Sequence, residues 1–213
     1  MKKKYYKIII FILFLILILF YFKYKGNTTT LNDKIVNGII YAEQLEHLSG
    51  LGLLDSQHIH ADYKVFIEGK EINMSYPELQ APEWGSAEFW RTSGFSRFVH
   101  MHPGENQSGV IHIHAIGVRL GMFFRVIGGS LNHSCISFPE LIQKQESVEQ
   151  TYCSDSDNIL QVLVNGEKII NPDSYLFHDL DRILISYGKI SQTNEQMKSV
   201  GYQACIHSEN CDE

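Results

Sequence analysis

Residues 58–67 read HIHADYKVFI, residues 97–102 read RFVHMH and residues 109–116 read GVIHIHAI. Each run holds two histidines one residue apart, with apolar, β-favouring residues between and beside them. That is the period-two pattern of a strand. Alternation sends both rings of a pair to one face, about 6–7 Å apart along the chain. Ile59, Val99, Met101, Ile111 and Ile113 point the other way. Three such strands side by side predict a sheet with one apolar face and one imidazole face.

Working outward, Glu68-Gly69 turns the first run into KEINM, residues 70–74, which predicts a hairpin. The second and third runs join across Pro103, Gly104, Glu105 and Asn106 into another. ILQVLVNGEKII, residues 159–170, carries Asn165-Gly166, the pair that tolerates the positive φ values of a type I′ turn, and DRILISYG, residues 181–188, adds a strand. Residues 117–127 place Val118, Leu120, Phe123, Phe124 and Ile127 at helical spacing, and residues 139–149 predict a second, more polar helix. Residues 76–96, rich in Pro, Gly and Trp, read as irregular. The fold class is therefore α+β over residues 57–188, a mixed or antiparallel sheet with packed helices. A polar, helical tail follows over 189–213.

Residues 8–22, IIIFILFLILILFYF, carry no charge and are flanked by Tyr5, Tyr6, Tyr24 and by lysines. Fifteen residues rise only about 22 Å as a helix, but Lys7 and Lys23 can snorkel towards the headgroups of a roughly 30 Å hydrocarbon layer. Residues 1–26 are expected to form one N-terminal transmembrane helix. A cleaved signal peptide is the competing reading, and the residues after the apolar run lack its small-x-small pattern. Lys2, Lys3, Lys4 and Lys7 outnumber Lys23 and Lys25, which predicts a cytoplasmic N-terminus and an extracytoplasmic domain on the cell membrane. Residues 27–56 read as a polar spacer and an amphipathic helix over 33–49, with Ile35, Val36, Ile39, Ile40, Leu45 and Leu48 on one stripe.

The net charge of -6 conceals an asymmetry, because all six charged residues of the first 26 are lysines. The remainder holds 12 of the 18 basic side chains against all 24 acidic ones. A body so acidic repels phosphate backbones and disfavours nucleic acid as a partner. Four cysteines in an external domain suit disulfides, and proximity favours Cys135 with Cys153 and Cys205 with Cys211, though three pairings are possible. None forms Cys-x-x-Cys. Asn27, Asn73, Asn106 and Asn132 begin glycosylation tripeptides.

Ten histidines placed at random give about 0.5 His-x-His pairs in this length. The chain has three: His58/His60, His100/His102 and His112/His114. On neighbouring strands about 4.8 Å apart, these six rings fall within about one nanometre. Neutral imidazole is a preferred ligand of zinc and copper, so a transition metal is the expected cofactor. Either three or four rings bind one ion, or a dinuclear site forms with carboxylates; Asp62 and Glu105 are the candidate supporting groups and Asp55 a further one. His47, His133, His178 and His207 are isolated and read as surface residues.

The function expected is membrane-anchored metal binding for storage, sensing or transfer. Alternatives are a metal-dependent hydrolase or hydratase, a thiol-disulfide oxidoreductase akin to a disulfide isomerase, and a structural or adhesive surface module. No catalytic residue is singled out, for the chain lacks His-Glu-x-x-His, Gly-x-Ser-x-Gly and a phosphate loop.

HIHADYKVFIEGK, FVHMHPGENQSGVIHIHA, GVRLGMFF and DLDRILISYG together resemble an uncharacterised family of membrane-anchored, histidine-rich archaeal proteins, some of them labelled protein-disulfide isomerase. The resemblance covers residues 57–188. LQVLVNGEKII through DRILISYG is also similar to a ubiquitin-like β-grasp pattern, which implies a β-grasp-like sheet.

Overall fold

The first histidine run forms β1, Ile59–Ile67, in which eight of nine residues are buried. A strand covered on both faces is central, and the computed structural model places it so. The structure describes residues 50–80, 96–101 and 109–211. Outside them lie the expected anchor, spacer and amphipathic helix, most of the irregular segment, and His47, His102, Glu105, Asn27 and Asn106. Among the described residues, no helix is long and apolar enough to cross a membrane.

Glu68 (φ 51°) and Gly69 (φ 87°) both take positive φ, closing a tight turn into β2, Lys70–Ile72, antiparallel to β1. β3 (Val99–His100) and β4 (Val110–Ile113) pair antiparallel, and β4 pairs with the opening half of β1. Gly117 follows β4 with φ 85°; a Cβ there would lie 2.1 Å from the Gly50 carbonyl oxygen, so only glycine fits. Next come α1 (Leu120–Val126), β5 (Ser130–Leu131), β6 (Cys135–Ser137), α2 (Glu140–Glu146) and β7 (Thr151–Cys153). Strands β5, β6 and β7 form a separate small sheet, with the Cys135–Cys153 disulfide bridging paired residues.

β8 (Ile159–Val164) and β9 (Glu167–Lys168) meet at Asn165-Gly166, where φ values of 53° and 87° are those of a type I′ turn. β10, Asp181–Gly188, is antiparallel to β8 and parallel to β1, from Ala61 opposite Asp181 to Ile67 opposite Tyr187. The main sheet is therefore mixed, in the order β3-β4-β1-β10-β8-β9, with β2 beside the second half of β1.

The face bearing Ala61, Tyr63 and Val65 is apolar, and α1 sets Phe123 edge-on to Tyr63 with ring centres 5.3 Å apart. The opposite face departs from the expected all-polar imidazole surface. Its far half carries Phe66, Leu163 and Leu184, buried with Met197 and Val200. Met197 belongs to α3, Thr193–Ser199, which is followed by α4, Ala204–His207. The segment expected as a polar tail thus returns onto the sheet. Few apolar residues achieve this, because polar contacts assist: the Arg182 guanidinium donates to the carbonyls of Met197, Val200 and Gly201 and stands 3.8 Å from the Tyr202 ring centre. The domain accordingly extends beyond residue 188.

Candidate metal centre

Strand register assembles the cluster. His100 on β3 is paired with His112 on β4, and His112 with His60 on β1, so three imidazoles form a row across three adjacent strands. These three are buried, at 4%, 5% and 2% exposure. His58 and His114 stand just beyond the strand ends; His114 is half-buried and His58 is exposed. Backbone bonds fix the ends, with the His114 amide donating to Phe98 and the Asp55 amide to the His114 carbonyl.

The rings converge. His58 lies 4.7 Å from His114 and 4.8 Å from His60 between ring centres; His114 is 4.9 Å from His100; His60 is 4.5 Å from His112. His58, His112 and His114 each offer one ring nitrogen such that all three atoms lie within 4.8 Å of one another. Five of the six doublet histidines are therefore together, and the sixth, His102, falls outside the described residues.

Two of these rings have a defined orientation. The His100 Nδ1 lies 2.8 Å from the Ser96 carbonyl, which only accepts, so Nδ1 donates and a neutral ring keeps its lone pair on Nε2. The His60 Nδ1 lies 2.8 Å from the Ser208 hydroxyl, which in turn donates to Asp179 at 2.6 Å. The same carboxylate oxygen accepts the His60 backbone amide. A chain from imidazole through hydroxyl to carboxylate again leaves Nε2 of His60 as the bare nitrogen. Such outer hydrogen bonds are how metal-ligating histidines are aimed. Burial, then the neighbouring His58 and His207, push the His60 pKa down to about 4, with Asp179 opposing, so the ring is neutral at physiological pH.

The expected supporting carboxylates fare differently. Asp62 shares the His60 face but spends both oxygens on the amides of Gln203 and Ala204 at the start of α4. Burial raises its pKa, and those two hydrogen bonds oppose the rise. It supports the helix instead of facing the doublets. Asp55 lies 3.8 Å from the His114 Nδ1 and is 71% exposed, a weak pair. Glu105 lies outside the described residues.

His207, read from sequence as an isolated surface residue, belongs to the cluster: its ring centre is 5.6 Å from His60 and 5.2 Å from His112. Ser208 and Asp179 were likewise not anticipated. The available signal was the Cys205–Cys211 pair, which the structure closes as a disulfide and which fixes the short loop carrying His207 and Ser208. His178 stays apart, 74% exposed beside Tyr175 and Asp181. All four cysteines are in disulfides. No protein-family profile, no characterised protein and no solved structure matches the chain.

Proposed function

We propose that this chain is a membrane-anchored, extracytoplasmic protein whose domain binds a transition metal ion, zinc or copper, through its imidazole cluster, for storage, sensing or transfer. The observation that carries the reading is the convergence of His58, His112 and His114 donor nitrogens within 4.8 Å. A tetrahedral zinc ion with bonds of about 2.0–2.1 Å needs those nitrogens about 3.4 Å apart, a gap that modest ring rotation closes. Three protein ligands leave a fourth position for water or a donor, and exposed His58 stands where an ion would enter.

The ligand chemistry favours handling an ion over locking it away. Thiolates are not offered, imidazole is an uncharged donor, and a site of imidazoles holds zinc less permanently than a four-cysteine site. Two disulfides agree with an oxidising compartment, and the lysine-flanked run at residues 8–22 supports the anchor. The strand series β2-β1-β10-β8-β9, with a parallel central pair and a hairpin on either side, supports a β-grasp-like fold to which β3 and β4 add His100, His112 and, just past β4, His114.

Full-length protein in detergent, purified from metal-replete medium, is expected to carry at least one equivalent of zinc or copper by elemental analysis. After chelator treatment it should rebind zinc, whereas the double variant His112→Ala/His114→Ala should not. Metal-free wild-type protein that also fails to rebind zinc or copper would end this reading. Protease added to intact cells should digest the domain, and protection would reverse the proposed orientation.

A further inference from the structure

Six described imidazoles exceed what one tetrahedral ion uses, and their spacing divides them. Two imidazoles on one tetrahedral zinc, with bonds of about 2.0–2.1 Å, have ring centres about 5 Å apart. His60, His112 and His207 meet that spacing on all three sides, at 4.5, 5.6 and 5.2 Å. On the other side of the cluster His114 stands 4.7 Å from His58 and 4.9 Å from His100. His112 belongs to both neighbourhoods, and with His100 taking its place beside His58 and His114, the six rings form two sets of three.

The second set has support of its own. The Ser208–Asp179 chain holds the proton of a neutral His60 on Nδ1 and leaves the Nε2 lone pair for an ion. His207 is held in place at both ends of its loop, by the Asp62 cap on Gln203 and Ala204 and by the Cys205–Cys211 disulfide.

We infer that the cluster is a two-metal centre, its second ion bound by His60, His112 and His207. The inference rests on the reading of the cluster as a metal site and adds a second position, a ligand set and a dependence on the C-terminal disulfide loop. Both ions would be held by imidazole alone.

Chelator-stripped full-length protein in detergent is titrated with zinc ion by calorimetry, and bound zinc is counted by elemental analysis after desalting. Two equivalents per chain are expected for wild type, and one for His207→Ala and for His60→Gln. The Cys205→Ser/Cys211→Ser double variant, which leaves every imidazole in place but frees the loop, should weaken the second equivalent at least tenfold and spare the first. Circular dichroism establishes that each variant is folded, and the wild-type count needs no variant. One equivalent in wild type overturns the inference and leaves the proposed function standing. Two equivalents that survive both histidine substitutions overturn the ligand set. No binding overturns the inference together with the reading beneath it.

Discussion

Two ends of one sheet face make a comparison. At the start of β1, His60 is buried among His58, His112 and His207; six residues on, Phe66 is buried among Leu163, Leu184, Met197 and Val200. Both side chains point to the same side of the same strand, and the same C-terminal segment packs over that face. The two ends differ in what the cover supplies. α3 delivers Met197 and, just past it, Val200, so the apolar end is held by burial, with Arg182 and the buried Ser186–Gln196 hydrogen bond assisting. α4 buries only Ala204 and otherwise brings His207, Ser208 and two backbone amides that meet Asp62. One end is a conventional core, and the other is a polar cluster held in position by hydrogen bonds and a disulfide.

The sharpest way to separate the ends is to damage the apolar one. Leu184→Ala should lower stability by about 3 kcal/mol, the usual consequence of a cavity at a fully buried leucine, while the folded fraction binds zinc with unchanged stoichiometry. Urea denaturation measures the first and calorimetry the second; a lost equivalent in folded protein would mean that the ends are not independent.

Metal should strengthen the polar end selectively. Zinc at a hundred times its dissociation constant should raise stability by about 2.7 kcal/mol, a shift of roughly 5–10 °C in unfolding temperature. The double variant His112→Ala/His114→Ala should abolish that shift, as read by thermal melts with and without zinc.

A smaller change comes from the outer hydrogen bonds. Ser208→Ala removes the partner of His60 Nδ1 without touching a proposed ligand, and should weaken zinc binding about tenfold while leaving the melting temperature of the metal-free protein within a few degrees. Equal affinity in the two proteins would assign Ser208 a purely local role.

The smallest effect is the dependence of the metal-free protein on pH. The His60 pKa falls from 6.5 to about 4 on folding, through burial and then the adjacent His58, His207 and His114, with Asp179 acting the other way. Between those values the unfolded chain takes up a proton that the folded chain refuses, so stability is present above about 6.5 and lost as pH falls towards 4. After allowance for solvent screening the loss is about 1 kcal/mol, or roughly 2–4 °C. His60→Gln should flatten the profile, whereas Phe66→Leu at the other end should leave it unchanged.

The same contrast explains which parts were legible in sequence. Alternation around His58/His60 and His112/His114, the Glu68-Gly69 and Asn165-Gly166 turns, and the helical spacing of Leu120, Phe123 and Phe124 are local patterns, and the structure has a strand, turn or helix at each. The cysteine pairs join residues 18 and 6 positions apart, near enough for proximity to favour them. By contrast, the parallel alignment of β1 with β10 joins residues such as Ala61 and Asp181, and no local period encodes such a pairing. The C-terminal helices were unreadable as part of the domain because Met197, Val200 and Ala204 make too sparse an apolar stripe. His207 was missed with them, since its significance lies in the return of that segment and not in its neighbours along the chain.

That parallel alignment also sets an order of events. β1 is made early in synthesis, yet its inner partner begins at Asp181, and a pairing of such separation is slow to form. Until the later strand has been made, one edge of β1 lacks its permanent neighbour, and His207, later still in the chain, has not yet joined His60 and His112. The histidine cluster is therefore completed only when nearly the whole chain has been made, the last of its rings to arrive being His207.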